Sequence, residues 1–168
     1  VQPATASSDP LPPLGLSWAI KRSFLDYIGS LPDGSVSATG GASISAASGF
    51  SFSFESSDYD AGRGTGVIRF RGDVRLAGHH GMLLVRLLNP WITFTSGSGV
   101  LSISTGDGPD RAAVGFLSPS TPRPVNGSLV WEHVGVVISP EGSELFDGQY
   151  AAGQPMDPLT IRITGQDQ

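Results

Sequence analysis

Three histidines and three tyrosines are the side chains of this chain best suited to move a proton or donate to a metal near neutral pH. Cysteine is absent, which excludes disulfides, thiolate zinc, iron–sulfur clusters and a cysteine nucleophile. His79 and His80 stand in Ala77-Gly78-His79-His80-Gly81, where flanking glycines mark a tight turn between two strands and leave the backbone open to a ligand. Adjacent strand residues point to opposite faces, so only one of the two looks inward. The nearest carboxylates, Asp58, Asp60 and Asp73, form no metal-ligand spacing. No Gly-x-Ser-x-Gly elbow presents a nucleophile, and Gly64-Thr65-Gly66 lacks the lysine and following helix of a phosphate loop. Any two of the 15 acidic residues could meet as a glycosidase pair, but nothing in the spacing singles one out. The ordinary role of Tyr27, at the end of a helical pattern, is a core tyrosine with its hydroxyl at the rim. His133, alternating with Val134 and Trp131, reads as structural.

These residues must be positioned by a mostly β framework. In Leu16-Ser17-Trp18-Ala19-Ile20-Lys21-Arg22-Ser23-Phe24-Leu25-Asp26-Tyr27-Ile28, apolar residues recur at three- and four-residue steps, which predicts a helix over 16–28 with Ser17 as its cap. Gly29 reads as its C-terminal cap and Pro32-Asp33-Gly34 as the turn that follows. The remaining pattern has period two, predicting strands over 36–45, 50–54, 66–76, 82–94, 100–104, 111–117, 128–138 and 159–163. Ser96-Gly97-Ser98-Gly99, Gly106-Asp107-Gly108-Pro109 and Asn126-Gly127-Ser128 read as turns. The expected fold is an antiparallel β-sandwich or barrel-like domain with one principal N-terminal α-helix. Trp91 and Trp131 could stack on a sugar, though burial at a strand end is their commoner use.

Composition agrees. Gly and Pro together contribute 36 of the 168 residues (23 and 13), and only 15% are charged, which argues against a helical bundle. A net charge of −5 excludes nucleic acid and anionic lipid as main partners. No run of apolar residues is long enough for a membrane-spanning helix. Residues 1–13, rich in Pro, Ser and Ala, are expected to be a flexible lead-in at the start of a mature or trimmed chain, 14–164 a single domain and 165–168 a tail.

Three stretches resemble one known family. Leu16 to Ile28 is similar to the "L-x-W-x-x-K-x-S-F-x-x-Y-I" opening of HtaA domains, the haem-binding modules of actinobacterial haem-uptake proteins. Gly72-Asp73-Val74-Arg75-Leu76-Ala77-Gly78-His79-His80-Gly81-Met82-Leu83, followed by Asn89-Pro90-Trp91-Ile92, resembles "G-x-V-x-F-x-G-H-x-G-x-L … N-P-x-I". Phe146 to Leu159 is similar to "F-x-x-x-Y-x-A-G-x-x-x-D-P-L". The likeness runs from residue 14 to 164, with Leu76 in place of the usual aromatic and His80 as an additional histidine.

The resemblance implies a non-enzymatic, secreted or envelope-associated module. It would bind haem b as ferric protoporphyrin IX, accept it from haemoproteins and pass it to other uptake proteins. Tyr27 would be the axial ligand, hydrogen-bonded to His79 or alternatively His80. Ile20, Phe24, Phe146 and Tyr150 would contribute to the cleft, and Ser23 or an arginine would meet a propionate. A phenol titrating near 10 is a poor ligand until ionised, and a partnered imidazole makes its oxygen available to Fe(III). A carbohydrate-binding or adhesive β-module of the envelope is the alternative.

Overall fold

The computed structural model describes residues 12–45, 49–81, 83–106, 108–146 and 148–164. Along most of this chain large apolar residues alternate with serine, threonine and arginine, and that alternation closes a barrel. In chain order the elements are β1 (Gly15–Trp18), α1 (Arg22–Ser30), β2 (Ser35–Thr39), β3 (Ala42–Ser45), β4 (Gly49–Ser57), β5 (Gly66–Arg71), β6 (Asp73–Gly78) and β7 (Leu83–Leu88). There follow β8 (Trp91–Thr95), β9 (Ser98–Ser104), β10 (Arg111–Leu117), β11 (Arg123–Val125), β12 (Ser128–Ile138), α2 (Pro140–Leu145) and β13 (Pro155–Thr164).

Eight strands form an antiparallel ring in the order β1-β13-β12-β10-β9-β8-β5-β4, and β4 closes it by pairing with β1. β3 adds to β4 and β11 to β12, while β2, β6 and β7 form a separate three-stranded sheet. Leu16, Phe52, Phe70, Ile92, Leu101 and Ile161 are among the buried residues of the continuous core. Each such side chain contributes about 1.5–3 kcal/mol on burial.

The chain passes between the barrel and the small sheet at Gly40-Gly41, at Gly72 and at Asn89-Pro90, and the last two are bonded to each other. Gly72, between β5 and β6, donates its N–H to Asn89 Oδ1 at 3.1 Å, and Asn89, between β7 and β8, returns its N–H to Gly72 O at 2.7 Å. A Cβ on Gly72 would lie 2.6 Å from that of Ala42, so only glycine fits the crossing. From here β6 and β7 run out as a hairpin whose tip is a 3-10 turn at His79–Gly81. At the hairpin's base Asp73 pairs with Arg86 at 2.9 Å and Arg75 at 3.1 Å. The Arg86 and Arg75 guanidinium groups pull its carboxyl down to about 2.

The mostly β class with a barrel-like sheet agrees with expectation, but the element at the N-terminus does not. Residues 15–18 are a strand and the helix begins only at Arg22. Leu16 and Trp18 alternate into the barrel between β13 and β4, and Ile20, at φ 65°, breaks the chain before helix can form. The spacing Leu16-Ile20-Phe24 looked helical because all three are buried, for different reasons. Ser17 therefore caps nothing, and Gly29 lies inside α1, whose C-terminal cap is Leu31.

Three long expected strands are each two. Gly40-Gly41 sends β2 and β3 to different sheets, Gly72 divides β5 from β6, and Asn89-Pro90 divides β7 from β8. The sequence reading omitted β11 and α2, although Ser139 is an N-cap accepting from the Gly142 N–H at 2.8 Å with Pro140 behind it. The Asn126-Gly127 turn is as expected, with both residues at positive φ between β11 and β12. The expected lead-in and tail fall largely outside the described residues.

Candidate functional site

α1 buries Phe24 and Ile28, one turn apart, and leaves Arg22, Ser23, Asp26 and Tyr27 facing out. Its first residue has no cap from its own segment; instead Asp157 Oδ2, on β13, accepts the Arg22 N–H at 3.2 Å. Three further bonds clasp the same segment. Trp18 Nε1 donates to Asp157 O at 2.6 Å, the Asp157 N–H to Ile20 O at 2.9 Å, and Lys21 Nζ to Pro155 O at 2.9 Å. The "L-x-W-x-x-K" and "D-P-L" stretches are thus two halves of one joint that sets where α1 starts. At the other end Ser30 Oγ donates to Tyr27 O at 2.7 Å and closes the last turn.

Tyr27 is 38% exposed at the rim of α1. Its hydroxyl lies 2.5 Å from Nε2 of His79, at the tip of the β6–β7 hairpin. Ile28 and Leu31 face Gly78 just before that tip, which brings the helix end and the turn together. His79 and His80 both hold left-handed backbone, at φ 53° and 57°. For residues with a Cβ that conformation costs roughly 1–2 kcal/mol each. The His80 ring is 94% exposed and sits 3.5 Å from Asp33 Oδ2, while its backbone N–H donates to the same oxygen. His79 therefore faces Tyr27, and His80 faces the turn after α1.

Phe24, Phe146 and Tyr150 pack edge-on behind this pair, with ring centroids 5.3, 6.0 and 5.8 Å apart. Ile20, Phe24 and Phe146 are fully buried, so they stand in the core beneath the rim and not on an open cleft wall. Tyr150 is half-buried, and burial pushes its phenol up even though a hydrogen bond to Ser23 works the other way. The third tyrosine, Tyr59, is buried against Phe94 and Trp131, and burial pushes its phenol up too. Of the three phenols, Tyr27 alone has an imidazole within hydrogen-bonding distance. An exposed phenol that can hand its proton to a neighbouring base is equipped to offer an anionic oxygen to a hard metal ion.

His133 sits exposed at φ 54° where the register of β12 shifts, lining a pocket with Trp18, Arg22 and Asp157 at the start of α1. Among the described residues no group of three His, Asp or Glu could hold an ion. A cleft of about 410 Å³ lies between α2 and strands β9 and β10, lined by Ile103, Ala112, Val114 and Leu145 among others; neither Tyr27 nor His79 lines it.

The sequence model of the HtaA family matches residues 14–162. This chain belongs to the HtaA family. Its HtaA fold superposes on the crystal structure of the C-terminal domain of HtaA from Corynebacterium glutamicum with a TM-score of 0.75. Identity there is 29%, over 89% of this chain and 94% of that one. The N-terminal domain of the same protein gives a TM-score of 0.75 at 20% identity, covering 90% of this chain and 96% of that one. The heme binding protein HtaB from the same organism gives 0.66 at 15% identity, covering 90% and 92%. A search of the curated proteins finds no match.

Within this HtaA domain, sequence reasoning missed Asp157 and Asp33, since both act on residues distant in the chain. A long-range partner of Asp157 has no sequence signature. Asp33 was visible only as a turn residue.

Proposed function

We propose that this domain binds ferric haem, as haem b, through the Tyr27 oxygen, with His79 hydrogen-bonded to that oxygen. The observation that carries the reading is the exposed Tyr27–His79 pair at 2.5 Å. Membership of a family whose fold-relatives include a heme binding protein supports it.

The chemistry follows from the pair. His79 Nε2 accepts the phenol proton and then donates back to the phenolate, so the oxygen stays charged and aimed while coordinated. A hard anionic oxygen favours Fe(III) over Fe(II) and disfavours oxygen binding, which suits a carrier and not a catalyst. Phe24 lies beside Tyr27, Phe146 and Tyr150 pack on Phe24, and the buried Ile20 lies just before the start of α1; their contribution is support. Ser23, hydrogen-bonded to Tyr150 yet on the exposed face of α1 one helical turn before Tyr27, would meet a propionate.

The domain acts at the envelope or outside the cell, taking haem from haemoproteins and yielding it to other uptake proteins. No described helix is long and apolar enough to cross a membrane. The carbohydrate-binding alternative loses its feature: Trp18 and Trp131 are buried, and the half-buried Trp91 ring is engaged by Arg69 and Arg111 at 4.9 and 4.0 Å. Titrating the protein with hemin tests the proposal. A stoichiometric Soret change with the charge-transfer bands of a tyrosinate-bound ferric haem is expected, and free hemin's spectrum throughout would overturn it.

A further inference from the structure

The His79-His80 turn places two consecutive residues with a Cβ in left-handed backbone, which is strained, and something must hold it in one shape. The partner comes from outside. Asp33, in the turn after α1, offers Oδ2 to the His80 backbone N–H, and the His80 Nδ1 lies 3.5 Å from the same oxygen. The His80 amide holds the Asp33 carboxyl below the usual carboxylate range, with the His80 ring and the His79 amide adding to it, so the acceptor is the anion.

Asp33 is itself fastened to the helix. The Leu31 N–H donates to Ile28 O and the Gly34 N–H to Leu31 O, both at 3.1 Å. A Cβ on Gly34 would fall 2.0 Å from Ile28 O, so glycine alone permits the turn to fold back this tightly. Beside the packing of Ile28 and Leu31 on Gly78 and the pairing of Ser35 with Ala77, two polar ties reach the hairpin tip itself, Tyr27 to His79 and Asp33 to the backbone of His80. The second tie acts on the turn backbone that carries the His79 ring.

We propose that Asp33 is the positioning residue for His79: by capturing the His80 amide it holds the left-handed turn that aims the His79 ring at Tyr27. His80 then serves through its backbone and is not a ligand. In its effect on haem the proposal rests on the Tyr27–His79 reading above.

The experiment compares haem dissociation into excess apomyoglobin for wild type, Asp33→Ala, Asp33→Asn, His79→Ala and the Asp33→Ala/His79→Ala double variant, all shown folded by circular dichroism. Loss of a residue that orients a ligand typically costs ~10–100-fold, so Asp33→Ala is expected to release haem at least ~10-fold faster, with a spectrum shifted towards that of His79→Ala. Asp33→Asn keeps an oxygen acceptor and is expected to restore most of the wild-type rate. The double variant is expected to match His79→Ala alone, because Asp33 has nothing left to position. A wild-type rate in Asp33→Ala, or rate effects that multiply in the double variant, would overturn the proposal.

In the apoprotein, hydrogen exchange of the His80 amide and the ring resonances of His79 are read by NMR in the same variants. Faster exchange and a moved His79 ring in Asp33→Ala are expected, and no change in either overturns the inference. This arm does not involve haem, so indifference of haem to His79→Ala counts against the proposed ligation alone, while the NMR result still decides the role of Asp33.

Discussion

Tyr27→Phe separates ligation from packing more cleanly than removal of the whole ring. The ring stays, with its contact to Phe24 at 6.5 Å between centroids, and only the hydroxyl goes. That hydroxyl makes an exposed hydrogen bond to His79, so its loss costs about 1 kcal/mol of stability or less. In a domain of this size such a change lowers Tm by about 2–4 °C. Haem binding responds on a different scale. Deleting a ligand is at least as damaging as deleting the group that orients it, so affinity is expected to fall by ~100-fold, the upper end of that ~10–100-fold range and about 2.7 kcal/mol. A hemin titration followed in the Soret region and a thermal melt, on the same preparation, report the two numbers. A variant that keeps the wild-type ferric spectrum and affinity would remove Tyr27 from the iron and move the ligand to an imidazole. A Tm drop much larger than that of one hydrogen bond would show that the substitution disturbs more than the ligand.

Three further outcomes are expected. His79→Ala alters the ferric spectrum and weakens haem retention more than His80→Ala, since the His80 ring is 94% exposed and turned to Asp33; the reverse order in a hemin titration would show that the tip presents the other histidine. Dithionite reduction loosens haem or switches its ligand, because an anionic oxygen loses much of its advantage on Fe(II); an equally tight, six-coordinate low-spin spectrum in both oxidation states would speak for bis-histidine ligation. Asp73→Asn destabilises the apoprotein by about 1–2 kcal/mol at neutral pH, its half-exposed arginine partners limiting the effect. Its carboxyl is depressed in the folded state from 3.8 to about 2, so this stabilisation is present above about pH 4 and lost as pH falls towards 2. Urea melts of variant and wild type are expected to converge over that window, and a constant difference across it would refute the assignment.

The period-two pattern made the barrel legible, because residues such as Ile68, Phe70, Ile92 and Leu101 bury one face of their strands regardless of what lies elsewhere in the chain. The start of α1 was not legible. Leu16, Ile20 and Phe24 satisfy a helical spacing, and only the pairing of β1 with both β13 and β4 decides that the first of them is in a strand. Tertiary pairing outweighed local periodicity there. At the site, Tyr27 and His79 came from the resemblance and not from spacing. Which histidine faces Tyr27 depends on two consecutive left-handed residues, and left-handed backbone at histidine is not written in a sequence. The same holds for Asp157 as the cap of α1, since its partner is 135 residues away.

An eight-stranded ring is about the size at which side chains can either fill the interior or leave room for one small ligand. Here they fill it. Phe94 stacks on Trp131 at 5.3 Å, Tyr59 meets both edge-on, and these three are buried among the phenylalanines and isoleucines of the same core. A ligand as broad as a porphyrin therefore has no place inside this barrel without displacing its core, at a cost of several kcal/mol per large side chain. The site has to be built from what is added to the ring: α1, joined to β13 through Asp157, and the β6–β7 hairpin, which leaves the barrel at Gly72 and returns at Asn89. Each attachment is short and specific, and β2, which continues from α1, pairs with β6, so Tyr27 and His79 are held together at the surface; under the proposed ligation haem would arrive and leave there without the barrel opening.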